Sequence, residues 1–165
     1  MITVRRASEA DSEDVFEWLN DEHTRRMSYT TDWVAWRRYQ HWFLSSLNKK
    51  DKLFTICELN NTGAKVGIVR FDIDANPNTA LISIILAPSM RGKGFAKRCL
   101  VGAMGFFKRA FPTVSILRAE IKSINLQSRC SFEGVGFILK KTVGEFRCYH
   151  YRLYSQRCRS SDGGA

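Results

Sequence analysis

"ISIILAPSMRGKGFAKRCL", residues 82–100, decides the fold of this chain. It runs from an apolar segment, through a short basic loop, into a segment with helical periodicity. At the predicted first turn of that helix stand two cations and two glycines, namely Arg91, Gly92, Lys93 and Gly94. A helix N-terminus exposes unpaired N–H donors and carries a partial positive charge. The two added cations therefore predict that an anionic group binds there.

The two glycines favour a phosphate-binding turn. Glycine has no side chain to hold a ligand away from the backbone and tolerates a positive φ, and successive exposed amides form an anion-binding nest. The stretch lacks the G-x-x-x-x-G-K-[ST] pattern of a P-loop and the G-x-G-x-x-G pattern of a dinucleotide-binding turn. A diphosphate with further contacts along the preceding strand is the ligand that fits. A basic turn without a ligand is the alternative.

The segments around this loop predict one α+β domain over residues 1–155, followed by a basic, flexible tail over 156–165. The predicted order is strand, helices, three strands, helix, strand, helix and two strands. Strands are expected over 3–7, 52–59, 65–74, 79–87 and 114–121 and in a closing hairpin across Gly144, and helices over 8–19, 32–48, 94–111 and 125–135. Residues 20–30 predict a loop or a broken helix. The nearly continuous apolar run over 79–87 is typical of a strand buried on both faces.

The bulk composition restricts the classes of protein to consider. The chain has 165 residues, and its formal net charge of +10 favours anionic partners. No run approaches the roughly 18 apolar residues of a membrane helix, and the N-terminus does not resemble a signal peptide, so we expect a soluble cytoplasmic protein. The five cysteines contain no C-x-x-C pair, so neither a disulfide framework nor a metal site is expected.

The chain resembles the GCN5-related N-acetyltransferase (GNAT) superfamily at two motifs. The first is the family's [RQ]-x-x-G-x-[GA] loop between a central strand and a helix, and the second is a strand followed by N-x-x-S/A and an aromatic residue before G-F. The matching residues are Arg91, Gly92, Gly94 and Ala96 in the first motif, and Asn125, Ser128, Phe132, Gly136 and Phe137 in the second. The weaker order of strands and helices extends the resemblance over almost the whole chain.

The resemblance implies a single-domain GNAT fold with acetyl-CoA as co-substrate. The expected architecture is a mixed central sheet of about seven strands, flanked by helices, with a splayed pair of strands at the CoA site. The loop amides would bind the CoA pyrophosphate, and the strand before the loop would pair with the pantetheine arm and polarise the thioester carbonyl. The cofactor-binding residues so implied are Ile84, Ile85, Leu86, Arg91, Gly92, Lys93, Gly94, Phe95, Ala96, Asn125, Ser128 and Phe132.

The sequence departs from the common family pattern at both proton-transfer positions. Phe132 stands where many relatives carry a tyrosine that serves as the general acid, and Leu81 stands where many carry a glutamate base. A thiolate leaves readily enough for catalysis to proceed without an acid. The remaining candidates for proton transfer are Glu120, Ser83 acting through a water molecule, His41, Tyr39 and Asp72. The sequence favours the hypothesis that a water molecule removes the proton of the acceptor amine, without one strong base.

The segment before the second strand resembles the amino-sugar branch of the family. The pattern W-x-N-D…T-R-x-x-S…H-W-F, followed by V-R-F-D, is similar to acetyltransferases of nonulosonic (pseudaminic-type) acid biosynthesis, which implies the 4-amine of a UDP-linked deoxy amino sugar as acceptor. Arg25 or Arg70 would contact the diphosphate. The full set of candidate acceptor-binding residues is Asn20, Arg25, Ser28, Arg70 and Asp72, whereas Trp18, Trp42 and Phe43 are equally expected in a core.

Two other functions stay open at this point. A protein N-terminal acetyltransferase of the ribosomal-protein type would present an acidic groove for a peptide, which the basic charge balance disfavours. A non-catalytic nucleic-acid-binding domain would fit the net charge, but the sequence carries no recognised nucleic-acid-binding motif. The partners expected are therefore acetyl-CoA and an amine-bearing small molecule. A second copy of the chain, forming a homodimer, is a further candidate.

Overall fold

The computed structural model describes residues 1–153, so the predicted tail over 156–165 lies outside the described residues. A seven-stranded sheet runs through the molecule in the order β1-β2-β3-β4-β5-β7-β6. The strands are β1 (Ile2–Arg6), β2 (Lys52–Leu59), β3 (Lys65–Ile73), β4 (Thr79–Leu86), β5 (Ile116–Lys122), β6 (Ile138–Val143) and β7 (Phe146–Arg152). Neighbouring strands are antiparallel except β4 and β5, which are parallel. The mixed sheet expected from the sequence is confirmed.

Five α-helices connect and cover the strands. They are α1 (Ser12–Asn20), α2 (Glu22–Met27), α3 (Trp36–Leu47), α4 (Phe95–Ala110) and α5 (Leu126–Gly134), and single 3-10 turns lie at Glu9–Asp11 and Pro88–Met90. A capping box between Ser8 and Asp11 starts the first helical segment, and the Asn125 side chain accepts a hydrogen bond from the Ser128 amide at the start of α5. Within residues 1–153, every helix is too short or too polar to span a lipid bilayer.

Each face of the sheet has its own hydrophobic core. On one face α4 packs its apolar stripe against the central strands, and Phe107 stacks on Phe71 with ring centroids 4.3 Å apart. On the other face α1 and α3 cover β2 and β3, with Tyr39 and Phe43 almost fully buried. The helical spacing of the apolar residues in α3 and α4 places them on a single face, which is why each helix can cover the sheet.

Strands β4 and β5 diverge along their length. They are paired from Thr79–Leu81 to Ile116–Arg118, and no pairing joins them beyond Leu81 in the described chain. At the same end of β4, a Cβ on Gly67 of β3 would lie 2.5 Å from the carbonyl oxygen of Ile85. Only glycine lets the end of β4 approach β3 this closely. The splayed pair expected from the sequence is therefore present.

Two local predictions need correction. β4 is not buried on both faces, since Ile84 and Ile85 are only half-buried where the strand loses its β5 neighbour. Residues 22–27 form α2, and α3 begins at Trp36, four residues later than predicted. The intervening loop is held by tertiary contacts: the Asn20 side-chain amide donates to the carbonyl of Val34 and accepts from its N–H, both at 2.9 Å. Helical periodicity within 32–48 carries no information about such contacts.

Candidate active site

The divergence of β4 and β5 opens a cleft of about 970 Å³ across the middle of the molecule. Its walls come from α2, the α2–α3 loop, α3, β3, β4, the start of α4, β5 and α5. The first turn of α4 and the α2–α3 loop both line the cleft. We call the part lined by the α4 loop, the end of β4 and α5 the CoA end, and the part lined by the α2–α3 loop, α3 and β3 the acceptor end, after the ligands that the sequence predicts.

The CoA end contains the loop singled out in the sequence. Gly92 and Gly94 adopt left-handed backbone angles, with φ of 72° and 74°, and Gly94 is the N-cap of the 16-residue helix α4. A Cβ placed on either glycine would meet no atom of the described chain within 4 Å. The loop therefore presents its amides to open space at a helix N-terminus, as anion binding requires. Lys93 is exposed and is not among the residues lining the cleft.

The side chain of Arg91 points away from this nest toward α2. Its Nη1 lies 2.7 Å from Oδ2 of Asp21, and its Nη2 donates to the Thr24 hydroxyl at 2.9 Å. Burial opposes ionisation of Asp21, but the guanidinium and the Thr24 amide outweigh it and lower the pKa of Asp21. Arg91 thus joins the CoA end of the cleft to the acceptor end, and the backbone amides carry the anion-binding geometry.

The long walls of the CoA end are formed by β4 and α5. Ile84, Ile85 and Leu86 line one wall and have no β5 partner. The N–H and C=O groups of Ile84 and Leu86 face the side that β5 has left and are available to an extended ligand, whereas those of Ile85 face β3. Asn125, Ser128 and Phe132 line the other wall, where the buried ring of Phe132 packs edge-on against Phe137 at 4.9 Å. No hydroxyl is present at position 132, so this residue cannot donate a proton.

Glu120 is a positioned carboxylate in the cleft. Its Oε1 accepts a hydrogen bond from Arg118 at 3.2 Å, and its Oε2 accepts one from the Tyr29 hydroxyl at 3.0 Å. Arg118 is itself held by two hydrogen bonds to Asp74, at 2.8 and 3.0 Å. The guanidinium of Arg118 and the Thr79 hydroxyl lower the pKa of Asp74 against the effect of burial. Glu120 therefore has a defined orientation with about a quarter of its side chain exposed to the cleft.

Arg70 is a half-buried cation without a carboxylate partner. Its Nε donates to the Ser83 hydroxyl at 3.2 Å, and the guanidinium lies 5.3 Å from the ring centroid of Trp42. Burial lowers the pKa of Arg70. Within residues 1–153, no carboxylate oxygen lies within 4 Å of its nitrogens, whereas neighbouring Asp72 is paired with Lys52. An anionic ligand group at the acceptor end would supply the missing partner of Arg70.

Three residues that the sequence predicted at the site either lie outside the cleft or make their hydrogen bonds within the chain. His41 lies on the exposed side of α3 and does not line the cleft, because Tyr39 and Phe43 turn the opposite side of the helix to the core. Asn20 is also outside the cleft, with its amide engaged by Val34. Arg25 is buried, and its donors are used within the chain. They contact the carbonyls of Leu19 (2.6 Å), Thr30 (3.3 Å) and Asp32 (3.4 Å) and the Ser28 hydroxyl (3.1 Å).

The hydrogen bonds of Arg25 predict a loss of stability on its removal. We expect Arg25→Ala to lower the free energy of unfolding by about 2–4 kcal/mol, because several buried carbonyls would lose their donor. The exposed neighbour provides the control, since Arg26→Ala removes the same charge from a side chain that faces solvent. Denaturant unfolding followed by circular dichroism measures both variants. Unchanged stability of Arg25→Ala would contradict a structural role.

Two residues of the site escaped the sequence analysis. Tyr29 belongs to a polar segment without periodicity, and its contact with Glu120 joins residues 91 positions apart. No local pattern could have revealed it. Arg118 could have been found from the sequence. It stands two residues before Glu120 on a predicted strand, so the two side chains must lie on the same face of the sheet.

Comparisons with known proteins agree with this architecture. The family model for the acetyltransferase (GNAT) domain matches residues 2–138. Among solved structures, aminoglycoside acetyltransferase AAC(6')-Ib in complex with coenzyme A has a TM-score of 0.78 at 21% identity, over 92% of this chain and 95% of that one. Spermidine N-acetyltransferase from Vibrio cholerae, in complex with CoA and spermine, has a TM-score of 0.81 at 14% identity, with the same coverage.

A domain from Methanocaldococcus jannaschii has a TM-score of 0.79 at 20% identity, over 93% of this chain and 99% of that one. A comparison with curated protein sequences finds no significant match. At these identities the structural likenesses establish the fold, and the family model establishes the membership. The chain belongs to the GNAT acetyltransferase family and is an N-acetyltransferase with acetyl-CoA as its co-substrate.

Proposed function

We propose that the acceptor is the amine of a nucleotide-linked sugar, specifically the 4-amine of a UDP-linked deoxy amino sugar. The observation that carries this proposal is Arg70, a half-buried cation that lines the acceptor end without a carboxylate partner in the described chain. A phosphate group of the acceptor would pair with it. Arg38 adds an exposed cation to the same wall.

The aromatic residues near Arg70 support an acceptor that contains rings. Trp33 lines the cleft at its rim with 64% of its surface exposed, and Trp42 lies beneath the guanidinium of Arg70. A large exposed indole beside cations suits the stacking of a nucleobase or the apolar face of a sugar. Ser28 lines the cleft; its hydroxyl donates to the Thr24 carbonyl at 2.7 Å and accepts from Arg25, so we propose that its remaining lone pair accepts from a sugar hydroxyl.

The charge distribution disfavours a polycationic acceptor. Three carboxylates line the cleft, and two of them, Asp72 and Glu120, already have a cation beside them. Asp32 is exposed at the rim. A polyamine or an aminoglycoside would thus meet one unpaired carboxylate and, among the described residues, three arginines that no carboxylate pairs, namely Arg25, Arg38 and Arg70. We propose that Asp72, held by Lys52, contacts acceptor hydroxyls instead.

Glu120 is proposed as the group that takes up the proton of the acceptor amine, directly or through a water molecule. The neutral amine nitrogen attacks the thioester carbonyl carbon, and its excess proton passes to the carboxylate. The backbone N–H of Ile84 or Leu86 would stabilise the oxyanion, because both face the side of β4 that β5 leaves unpaired. The C–S bond then breaks, and the products are the N-acetyl amide and CoA.

The leaving thiolate needs no acid from position 132. Thiols have a pKa of about 8.5, so the CoA thiolate is a stable leaving group that solvent can protonate after release. Ser83 is proposed to assist the reaction. Its hydroxyl oxygen accepts a hydrogen bond from Arg70, and its own proton can be donated to orient a water molecule or the amine.

The proposal is tested by the release of free CoA with a panel of acceptors. The panel contains a UDP-4-amino-4,6-dideoxy sugar, ribosomal-type N-terminal peptides, spermidine and an aminoglycoside. Turnover with the nucleotide-sugar at the highest kcat/KM supports the proposal. Preferential turnover of peptides would reassign the protein to N-terminal acetylation, and preference for spermidine or the aminoglycoside would overturn the role of the cations.

Arg70 provides a more specific prediction. We expect Arg70→Gln to raise the KM for the nucleotide-sugar by about 10- to 100-fold, because a charge-assisted contact to phosphate is lost. The KM for acetyl-CoA should not change. Glutamine still reaches toward Ser83, which keeps the local hydrogen bond. Steady-state kinetics at saturating acetyl-CoA measures the effect.

Two controls separate the anion contact from general damage. Arg37→Gln removes a cation from the exposed side of α3 and should leave both KM values unchanged. The same amino sugar without its nucleotide diphosphate should be acetylated equally by wild type and by Arg70→Gln. Equal loss of activity toward both forms of the sugar would mean that Arg70 does not bind the phosphate.

A further inference from the structure

The α2–α3 loop is fastened to the far side of the cleft through Tyr29. The Tyr29 hydroxyl donates to Oε2 of Glu120 at 3.0 Å, and the Tyr29 ring stacks on Phe146 of β7 with centroids 4.0 Å apart and planes 9° from parallel. Two-thirds of the tyrosine surface is nonetheless exposed. The residue therefore contributes little to the core and makes two specific contacts at the acceptor end.

A second contact holds the same segment in place. Nζ of Lys122 donates to the carbonyl of Arg26 at 3.1 Å and lies 5.9 Å from the Phe146 ring centroid. The C-terminal end of α2 and the loop that follows are thus attached to β5 independently of the Tyr29 hydroxyl. Removal of that hydroxyl alone should leave the segment in position.

We propose that Tyr29 is a positioning residue for the acetyl transfer: its hydroxyl orients the Glu120 carboxylate toward the acceptor amine. The inference rests on the proposed function, in which Glu120 receives the proton. Arg118 holds Oε1 and Tyr29 holds Oε2, so the two donors fix the plane of the carboxylate. Each oxygen keeps a second lone pair for the amine or for a water molecule.

The position of Tyr29 links the orientation of this carboxylate to the acceptor-binding segment. Arg118 lies on β5 together with Glu120, so its hydrogen bond to Glu120 does not depend on the position of the α2–α3 loop. Tyr29 comes from the α2–α3 loop, whose neighbours Ser28 and Thr30 line the cleft. The carboxylate therefore has both of its donors only when the acceptor segment lies over the cleft.

Other titratable groups near Glu120 do not replace the tyrosine. Arg118 and Lys122 share its face of β5, and Cys148 and His150 lie opposite Glu120 and Arg118 on β7. Burial and the nearby cations lower the pKa of His150, so this imidazole is neutral at pH 7. Burial and the bond to Glu120 raise the pKa of Tyr29, so the phenol keeps its proton and remains a donor.

The test is the division of the effect between kcat and KM for Tyr29→Phe. Phenylalanine preserves the stack on Phe146 and removes only the hydroxyl. We expect kcat to fall by about 3- to 10-fold at neutral pH, because the carboxylate loses one of the two donors that orient it. The KM values for the acceptor and for acetyl-CoA should stay at their wild-type values, because the segment itself remains in position.

Tyr149→Phe is the matched control. The Tyr149 hydroxyl donates to Oε1 of Glu133 at 2.7 Å, so this variant removes the same kind of hydrogen bond from a residue that does not line the cleft. Its melting temperature is expected to fall while its kcat stays at the wild-type value. The Tyr29→Phe protein should keep the wild-type melting temperature, because its side chain is mostly exposed.

Three outcomes are distinguishable. A lower kcat with unchanged KM values in Tyr29→Phe and not in Tyr149→Phe supports the positioning role. A wild-type kcat in Tyr29→Phe, or an equal loss in both variants, overturns that role and leaves the proposed acceptor and base intact. Full activity of Glu120→Gln overturns the assignment of the base, and the role of Tyr29 with it.

Discussion

Glu120→Gln should lower kcat by about 100- to 10,000-fold, the range that a general base contributes, while the Kd for acetyl-CoA stays at the wild-type value. Glutamine has nearly the shape of glutamate and can still accept from Arg118. It cannot take up a proton, so the tetrahedral intermediate would have to lose its excess proton to solvent. Acetyl-CoA contacts β4 and the α4 loop in our assignment, which explains the unchanged Kd.

The measurement is the rate of CoA release at saturating acceptor, together with calorimetric binding of acetyl-CoA. Glu13→Gln, an exposed carboxylate in the first turn of α1, is the control and should behave as wild type. The activity of Glu120→Gln should rise with pH, because hydroxide ions in the solvent then take up the excess proton of the tetrahedral intermediate. A wild-type kcat would show that water alone accepts the proton, as the sequence by itself had favoured.

Gly94→Ala should raise the Kd for acetyl-CoA by about 10- to 100-fold. Gly94 has a φ of 74°, and an alanine there costs about 1–2 kcal/mol of backbone strain. Its Cβ would also project into the open space in front of the nest, since no described atom lies within 4 Å of that position. Pyrophosphate would meet this methyl group instead of the N–H donors of the loop.

The effect on binding can be separated from the strain. Gly63, in the turn between β2 and β3, has a φ of 68° and equally open surroundings, and it is not among the residues that line the cleft. Gly63→Ala should therefore destabilise the protein by a similar amount and leave the Kd for acetyl-CoA unchanged. Isothermal calorimetry and thermal unfolding of both variants provide the comparison. If Gly94→Ala and the wild type have equal Kd values for acetyl-CoA, the amides of this loop do not bind the cofactor.

Several parts of the fold could be predicted because they depend on neighbouring residues in the chain. The α4 loop is one example: glycines at 92 and 94, cations and a following apolar periodicity together determine a helix start with exposed amides. The Asn125 cap and the β2–β3 hairpin have the same local origin. The burial of β4 was predicted wrongly, because an apolar run does not show where a neighbouring strand departs.

The cations of the site show why its chemistry could not be predicted in the same way. Arg25 and Arg70 were equal candidates for a phosphate contact on sequence grounds. In the structure, Arg25 donates hydrogen bonds to backbone carbonyls of its own segment. Arg70 donates one to a hydroxyl group and lies near two aromatic rings. The difference lies in which backbone groups surround each guanidinium.

The sequence by itself determined the family, the glycine-containing turn that starts α4 and the order of strands and helices along the chain, because each depends on short contiguous patterns and on backbone preferences. The tertiary structure alone decided which charged groups are free, which carboxylate is oriented and which loop crosses the cleft. Tyr29 and Glu120 are brought together from 91 residues apart. The partners of hydrogen-bond donors and charged groups are the groups that lie near them in space. Those neighbours come from distant parts of the chain, so no single segment of the sequence shows which groups will be paired.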